Sequence, residues 1–427
     1  MKIVEYKITP IAFGDPPLRS AFGLHAPYAL RTIVEVVSDD GIAGASETYG
    51  GAAVVADLEA VRELVLGRDP FQLAPLEAAI WGGARSGGTT TPWEGRLGSP
   101  PRTFGAIEVA CLDLVGKALG RPVCDLLGGR ARDRVPFSAY LFYKHAGAGG
   151  AWGFANDPDA AGGWPAARQR EALAPEALVE QARAMVAAFG FQSLKLKAGV
   201  LPPEREIETI RLLREAFGPA MPLRIDPNTA WSLETSVRAA RELGGLLEYF
   251  EDPVAGKQAM AQLARATDIP LATNMCCVGF DDLPETIRLG SVRIILGDHH
   301  FWGGLRASVE LARICRAWGI GLSMHSNSHL GISLAAMAHL AAAVPNLTYA
   351  CDTHYPWQAE EIVAGGKLQF EEGALPVPAG PGLGVEIDRA EMDRMHRQFL
   401  AAGLAHRDDE VEMRKVEPGW RRMLPRW

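Results

Sequence analysis

The chain has 427 residues, 48% of them hydrophobic and 22% charged, with a formal charge of -8 and a pI near 5.8. That acidic balance excludes the basic footprint of a nucleic-acid binder, and no run approaches the ~20 apolar residues that cross a bilayer. The length calls for one large domain with a smaller one, and six cysteines without CxxC spacing suit a reducing, cytoplasmic compartment.

The N-terminal stretch "MKIVEYKITPIAF" alternates like a strand and carries no signal-peptide h-region. Residues 2–8 and then "LRTIVEVVSDDGIAGASE" read as strands, with Asp40 and Gly41 marking a hairpin turn. Helical periodicity follows at 52–66 and 104–119, with a turn-rich loop over 82–102 between them. The pattern predicts an α+β module over 1–132. From Val135 the character changes. "VPFSAYLFY" reads as a buried strand, followed by a Gly/Ala-rich loop at 146–164 and a helix near 174–189. Then "FQSLKLKA", "MPLRIDP", "LLEYFEDP", "IPLATNM", "VRIILGD", "GIGLSMHS" and "LTYACDT" alternate with amphipathic helices. Eight strands at such even spacing predict an α/β fold, a TIM-type barrel over 133–375. Beyond it, "LPVPAGPGLGVEID" is loop-like, and a helix and a polar tail complete 376–427.

In such a barrel chemistry sits at the C-terminal ends of the strands. Those ends carry Lys195 and Lys197, Asp226, Glu251, Asn274, Asp298, His325, and then Asp352 and His354. Each has an ordinary explanation alone: Asp226 or Asn274 as a helix cap, His325 as a satisfied core histidine, two lysines as a solvated face. Two carboxylates and an amide on three consecutive strand ends are harder to dismiss. Asp226, Glu251 and Asn274 offer only oxygen ligands, which favours Mg²⁺ over Zn²⁺. The paired ammonium groups suggest a division of labour. Lys195 stays cationic and faces a substrate carboxylate, while its charge lowers the pKa of Lys197 enough for that residue to act as a base. Asp298 is placed to hold His325, a second base. Two bases flanking one carbon, beside a metal, suit removal of a proton α to a carboxylate. A Schiff-base aldolase built on Lys197, or a non-catalytic relative, are readings from other classes.

The motifs "LKLKAGV", "IDPNTAWS", "YFEDP", "LATNM", "DHHFWGG", "HSNSHLGISLA", "CDTHYPWQ" and "PGLGVEID" resemble the glucarate dehydratase subgroup of the enolase superfamily. The resemblance runs from "LHAPYALRTIVEV" to "HRDDEVEMRKVEPGW". It implies a modified TIM barrel beneath an N-terminal α+β capping domain, with the C-terminal segment returning to the cap. It also implies a homo-oligomer, a Mg²⁺ cofactor, a small acid sugar as substrate, and dehydration to a 2-keto-3-deoxy acid. His325 and Lys197 match the family's paired bases, with Asn327 beside His325 for departure of the hydroxyl. His25, Tyr140, Lys195, Asn274, His325, Ser326, Asn327, His354 and Arg407 match substrate contacts. Ser20 departs from the pattern, because the family carries asparagine five residues before the histidine matched by His25. The substrate therefore stays open among D-glucarate, galactarate, idarate and aldonates, with dehydration or epimerisation as the outcome.

Overall fold

A computed structural model describes residues 1–82 and 100–427 of the chain. Its N-terminal cap is built on an antiparallel sheet in the order β1 (Ile3–Gly14), β2 (Tyr28–Ser38) and β3 (Ala43–Tyr49). The expected hairpin forms, with Gly41 supplying the positive φ of 77° at its tip. β1 runs further than the alternation at 2–8 suggests, because β2 pairs with it as far as Gly14. The helices Ala52–Ala60 and Arg62–Val65, expected over 52–66, pack on β1, while α1 (Leu73–Gly82) packs on α2 (Pro100–Leu119), which itself lies across β2 and β3. α1 was not anticipated; its Leu73, Leu76 and Ile80 follow helical spacing, and Pro75 falls in the first turn, where no amide partner is lost. α2 is buried nearly all round. It approaches β3 so closely that a Cβ on Gly44 would meet the Ala110 carbonyl oxygen at 2.1 Å, so only glycine fits there.

The second sheet is parallel and strictly sequential: β4 (Ala139–Phe142), β5 (Leu194–Lys197), β6 (Leu223–Asp226), β7 (Tyr249–Glu251), β8 (Leu271–Thr273), β9 (Ile294–Gly297) and β10 (Gly321–Met324). It has seven strands, so the expected eighth is corrected. "LTYACDT" joins the two edges without forming a ladder. Thr348 and Tyr349 both donate their amides to the Leu322 carbonyl, which breaks regular pairing. Asp352 N then bonds Met324 O at 2.9 Å, and Ser138 N bonds Cys351 O at 2.8 Å. The barrel is thus closed by an irregular segment that carries Asp352 and His354 to the mouth. "VPFSAYLFY" also divides: Arg134–Pro136 pairs antiparallel with Ala374–Pro376, and the barrel strand starts only at Ala139. The helix expected near 174–189 spans Pro175–Phe189.

Two buried carboxylates join cap to barrel. Glu47, on β3, accepts from Leu330 N (2.8 Å) and Ser333 N (2.9 Å) at the start of α3 (Gly331–Ala343), while Arg31 Nε donates to it at 3.0 Å. Glu108, on α2, accepts from Leu305 N at 2.6 Å at the start of the helix Leu305–Trp318. Each acid accepts free backbone amides at the N-terminus of a helix across the joint, and burial pushes Glu108 up to about 8. In the tail, α4 (Arg389–Ala402) lies along β1, where Gln398 donates to the Ala12 carbonyl at 2.9 Å, and α5 (Asp409–Val416) follows. Among the described residues no helix is long and apolar enough to cross a membrane.

Removing Glu47 strands a buried guanidinium and uncaps α3 at once. Glu47→Ala is expected to cost about 3–5 kcal/mol, the range for breaking a buried ion pair, read as a lowered midpoint in urea unfolding. A loss under about 1 kcal/mol, the worth of an exposed pair, would show that the joint does not depend on this residue.

Candidate active site

The pleat of β5 sends Lys195 and Lys197 to the barrel interior and Leu194 and Leu196 to the surrounding helices, all four buried. Asp226 ends β6 and Glu251 ends β7, while Asn274, Asp298 and His325 each follow the last residue of their strand. Lys195 Nζ donates to Asp352 Oδ2 at 2.6 Å and lies 2.5 Å from Glu251 Oε2. Lys197 Nζ donates to Asp226 Oδ2 at 2.5 Å.

These pairs correct the expectation about the lysines. Burial depresses Lys197, but the adjacent Asp226 carboxylate outweighs that, and its pKa stands above the ordinary lysine value. The repulsion from Lys195 is a smaller effect. Burial opposes the charge on Lys195 too, and Asp352 and Glu251 more than restore it. Lys195 is wholly buried and lines no part of the cavity described below, so the expected contact with a substrate carboxylate gives way to a role inside the carboxylate cluster.

The cluster has the character of a cation site. Burial pushes Glu251 well above the carboxylate range, Lys195 pulls it back, and Asp226 and Asp352 add to the rise. Its 2.5 Å contact with Lys195 is an ion pair without hydrogen-bond alignment, and neither Glu251 oxygen has a hydrogen-bond partner. Asn274 Oδ1 is likewise buried and unpartnered. Such groups are costly unless something positive satisfies them, and oxygen-only donors fit a hard divalent cation. Asp252, which reads from sequence as a turn residue, positions this amide. Its backbone sits at φ 36°, and its carboxylate accepts from Thr273 Oγ1 (2.5 Å) and Asn274 N (2.8 Å).

Across the mouth, His325 Nδ1 donates to Asp298 Oδ2 at 3.0 Å. Asp298 also accepts from His300 Nδ1 (2.7 Å) and Tyr49 Oη (3.2 Å), the latter reaching down from the cap. Burial opposes ionisation of Asp298, yet His300 and His325 hold its carboxyl well below the usual range. Asp298, His299 and His300 also bring ligand-type atoms within 4.8 Å of one another. Asp298 is committed to His300 and His325, and the other ring nitrogen of His300 to the Glu47 carbonyl, so this is a hydrogen-bond network and not a second metal centre.

A cavity of about 580 Å³ opens over both bases. Lys197, His325, Ser326, Asn327, His354 and Tyr140 line it from the barrel, and His25 and Arg407 line it from the cap and tail, as expected. Asp226, Glu251, Asn274 and Asp298 are buried and not part of this lining, with Asp226 and Asp298 hydrogen-bonded to Lys197 and His325, which are. Tyr49, Phe142 and Asn228 line it without having been anticipated. Asn228 lies two residues past Asp226 within "IDPNTAWS", in a left-handed conformation at φ 49° with Oδ1 unpartnered; a polar residue so near a ligand was the available signal. Ser20 lines the cavity too. Most of the loop at 82–102 lies outside the described residues.

A family model described as enolase C-terminal domain-like matches residues 177–391. The chain is 46% identical to a probable glucarate dehydratase of Streptomyces coelicolor, over 100% of this chain and 99% of that protein. The chain belongs to the enolase superfamily. A solved enolase from Thermobispora bispora, complexed with magnesium and formate, is 48% identical with a TM-score of 0.91 over 100% of both chains. Another from Pseudomonas fluorescens, with bound magnesium, potassium and tartrate, is 46% identical with a TM-score of 0.91, over 100% of this chain and 99% of that one. In this superfamily member, the barrel presents the Lys197 amine and the His325 and His354 imidazoles to a single cavity, and Lys197 is paired with Asp226 of the buried oxygen-rich cluster.

The depressed pKa of Asp298 has a measurable consequence. An unfolded Asp titrates near 3.9, so the stability contributed by the ionised folded group is fully present above about pH 4 and is lost as pH falls toward the lower folded value. Thermal midpoints measured from pH 6 down to pH 3 are expected to fall more steeply below pH 4 for the wild type than for Asp298→Asn. Parallel slopes would mean that Asp298 is not held ionised by its histidines.

Proposed function

We propose that the protein is a Mg²⁺-dependent acid-sugar dehydratase of the D-glucarate dehydratase type, acting in the cytoplasm as a homo-oligomer. The observation that carries the reading is the sharing of one cavity by Lys197 and His325, with Lys197 paired to Asp226 of a buried strand-end cluster in which Glu251 and Asn274 keep unpartnered oxygens. The 46% identity to a probable glucarate dehydratase supports the substrate class. Asp226, Glu251 and Asn274 would hold the ion, which when bound stabilises negative charge developing on a substrate carboxylate.

The chain's own groups account for the remaining chemistry. Asp226, once it shares its charge with a cation, grips the Lys197 proton less tightly. Lys197 Nζ or His325 Nε2 then takes the proton from the carbon α to the carboxylate, each serving one configuration at that carbon. The electron pair of that C–H bond becomes a carbon–carbon double bond as the β-hydroxyl departs. His325, with Asn327 next to it, supplies the proton that makes the leaving group water. The enol so formed tautomerises to a 2-keto-3-deoxy acid. Asp298 keeps His325 in place by fixing Nδ1, which assigns proton transfer to Nε2. Lys195, enclosed by Asp352 and Glu251, balances the charge of the ligand cluster.

A panel of mono- and dicarboxylate sugars with Mg²⁺ tests the reading. At least one hexarate is expected to give a 2-keto-3-deoxy acid, with EDTA abolishing turnover and borohydride trapping nothing. Lys197→Ala and His325→Asn are each expected to lower kcat by about 10²–10⁴-fold on the configuration each base serves. In D₂O, His325→Asn should still exchange the α-proton of the epimer served by Lys197. Exchange of neither epimer in that variant would refute the two-base arrangement, and EDTA-insensitive turnover would refute the metal.

A further inference from the structure

Asp15 follows directly on β1 and is completely buried, behind the cavity lining. One of its oxygens, Oδ2, accepts from His25 Nδ1 (3.0 Å), Arg407 Nη1 (2.9 Å) and Ser328 Oγ (3.1 Å). All three donor residues line the cavity, and each comes from a different part of the chain: the cap loop, the tail before α5, and the loop that carries His325 and Asn327. The neighbouring Asp409 completes the arrangement, taking Arg407 Nε at 2.6 Å and Nη2 at 2.7 Å. The guanidinium plane is thereby fixed by two carboxylates, leaving its orientation no freedom to adjust to a ligand.

We infer that Asp15 is a positioning and specificity-determining residue, which sets His25 and Arg407 to recognise the end of the substrate remote from the reacting carbon. The inference rests on the acid-sugar reading given above. Its physical basis is the number of donors that meet on one oxygen. An ionised carboxylate oxygen carries the negative charge that holds a guanidinium and an imidazole together, whereas an isosteric amide oxygen is neutral and its N–H group would face Gln358 Nε2. Burial opposes charge at Asp15, but His25 and Arg407 outweigh it and hold the carboxyl below its ordinary value. Loss of that charge frees the imidazole to turn and the guanidinium to swing toward Asp409 alone. Among the described residues no hydrogen bond or ion pair joins Asp15 to Lys197, Asp226, Glu251 or Asn274; its link to the His325 loop is through Ser328 Oγ, and His325 is held separately by Asp298 at 3.0 Å.

The test compares two ligands on the full-length protein with Mg²⁺: a hexarate that the wild type accepts, and a shortened homologue retaining the carboxylate, α-proton and β-hydroxyl but lacking the last two carbons. Both kcat/KM and calorimetric Kd are read. For Asp15→Asn, the preference for the long ligand over the short one is expected to collapse at least tenfold. The loss should fall on KM and Kd for the long ligand, with values for the short one within about threefold of wild type. Equal losses on both ligands, or an unchanged preference, overturn the role of Asp15. Should thermal unfolding show that Asp15→Asn does not fold, Asp15→Ser, which is smaller and leaves room for water, carries the same expectations. If the wild type binds the long ligand preferentially but turns over neither, the dehydratase reading fails while the inference about Asp15 is still decided by the Kd ratio.

Discussion

Three carboxylates and two ammonium groups occupy a buried ring at the C-terminal ends of the barrel strands, and neither sign is tolerable there without the other. Asp226, Glu251 and Asp352 are fully buried, as is Lys195, with Lys197 nearly so. Each ion taken from water carries a penalty of several kcal/mol that only close, opposite charge offsets. The charges do not cancel: two ammoniums face three acids, and Glu251 is left with oxygens that nothing donates to. That residual demand for positive charge is the strongest physical statement the site makes. It converts a set of strand-end residues into a cavity floor able to receive a cation and, through it, a carboxylate.

The second charged centre, Asp298, depends on the cap. Its carboxylate is shared among His325, His300 and Tyr49. His300 Nε2 in turn lies 3.0 Å from the carbonyl of Glu47, whose side chain caps α3. The imidazole expected to move a proton is therefore oriented by a chain of contacts that ends in the interdomain joint. Stability of the joint and geometry of the base are the same interaction seen from two ends.

Much of this was legible in the sequence because barrel geometry converts position along a strand into position in a site. Alternation along "LKLK" placed both lysines on one face, and the last polar residue of each apolar run marked the mouth. What could not be read was which charges meet. Lys197 and Asp226 are 29 residues apart, and Lys195 and Asp352 are 157 apart. With only the local lysine pair visible, like-charge repulsion looked dominant, whereas the folded protein surrounds both amines with acids. The closing segment escaped for a related reason: the composition of "LTYACDT" is strand-like, yet two consecutive amides converge on one carbonyl, a tertiary choice that local propensity does not encode. Asp15 was invisible because an aspartate before two prolines looks like an ordinary turn residue.

The arrangement separates reaction from recognition. On the proposed reading, the groups that act on the reacting carbon stand on or just after β5 to β10, whose ladder fixes their backbone. The cavity lining contributed by His25 and Arg407 comes from a loop of the cap and from the tail, segments free to vary in length and composition without disturbing the ladder. Such freedom carries a cost in precision, because loops position side chains less well than strands do. Asp15 supplies that precision at one point: a single buried oxygen ties both peripheral segments to the loop of His325. Recognition at the far end and chemistry at the near end thus share one fixed reference, and a change in the outer segments can alter which ligand fits only so far as it leaves that oxygen satisfied.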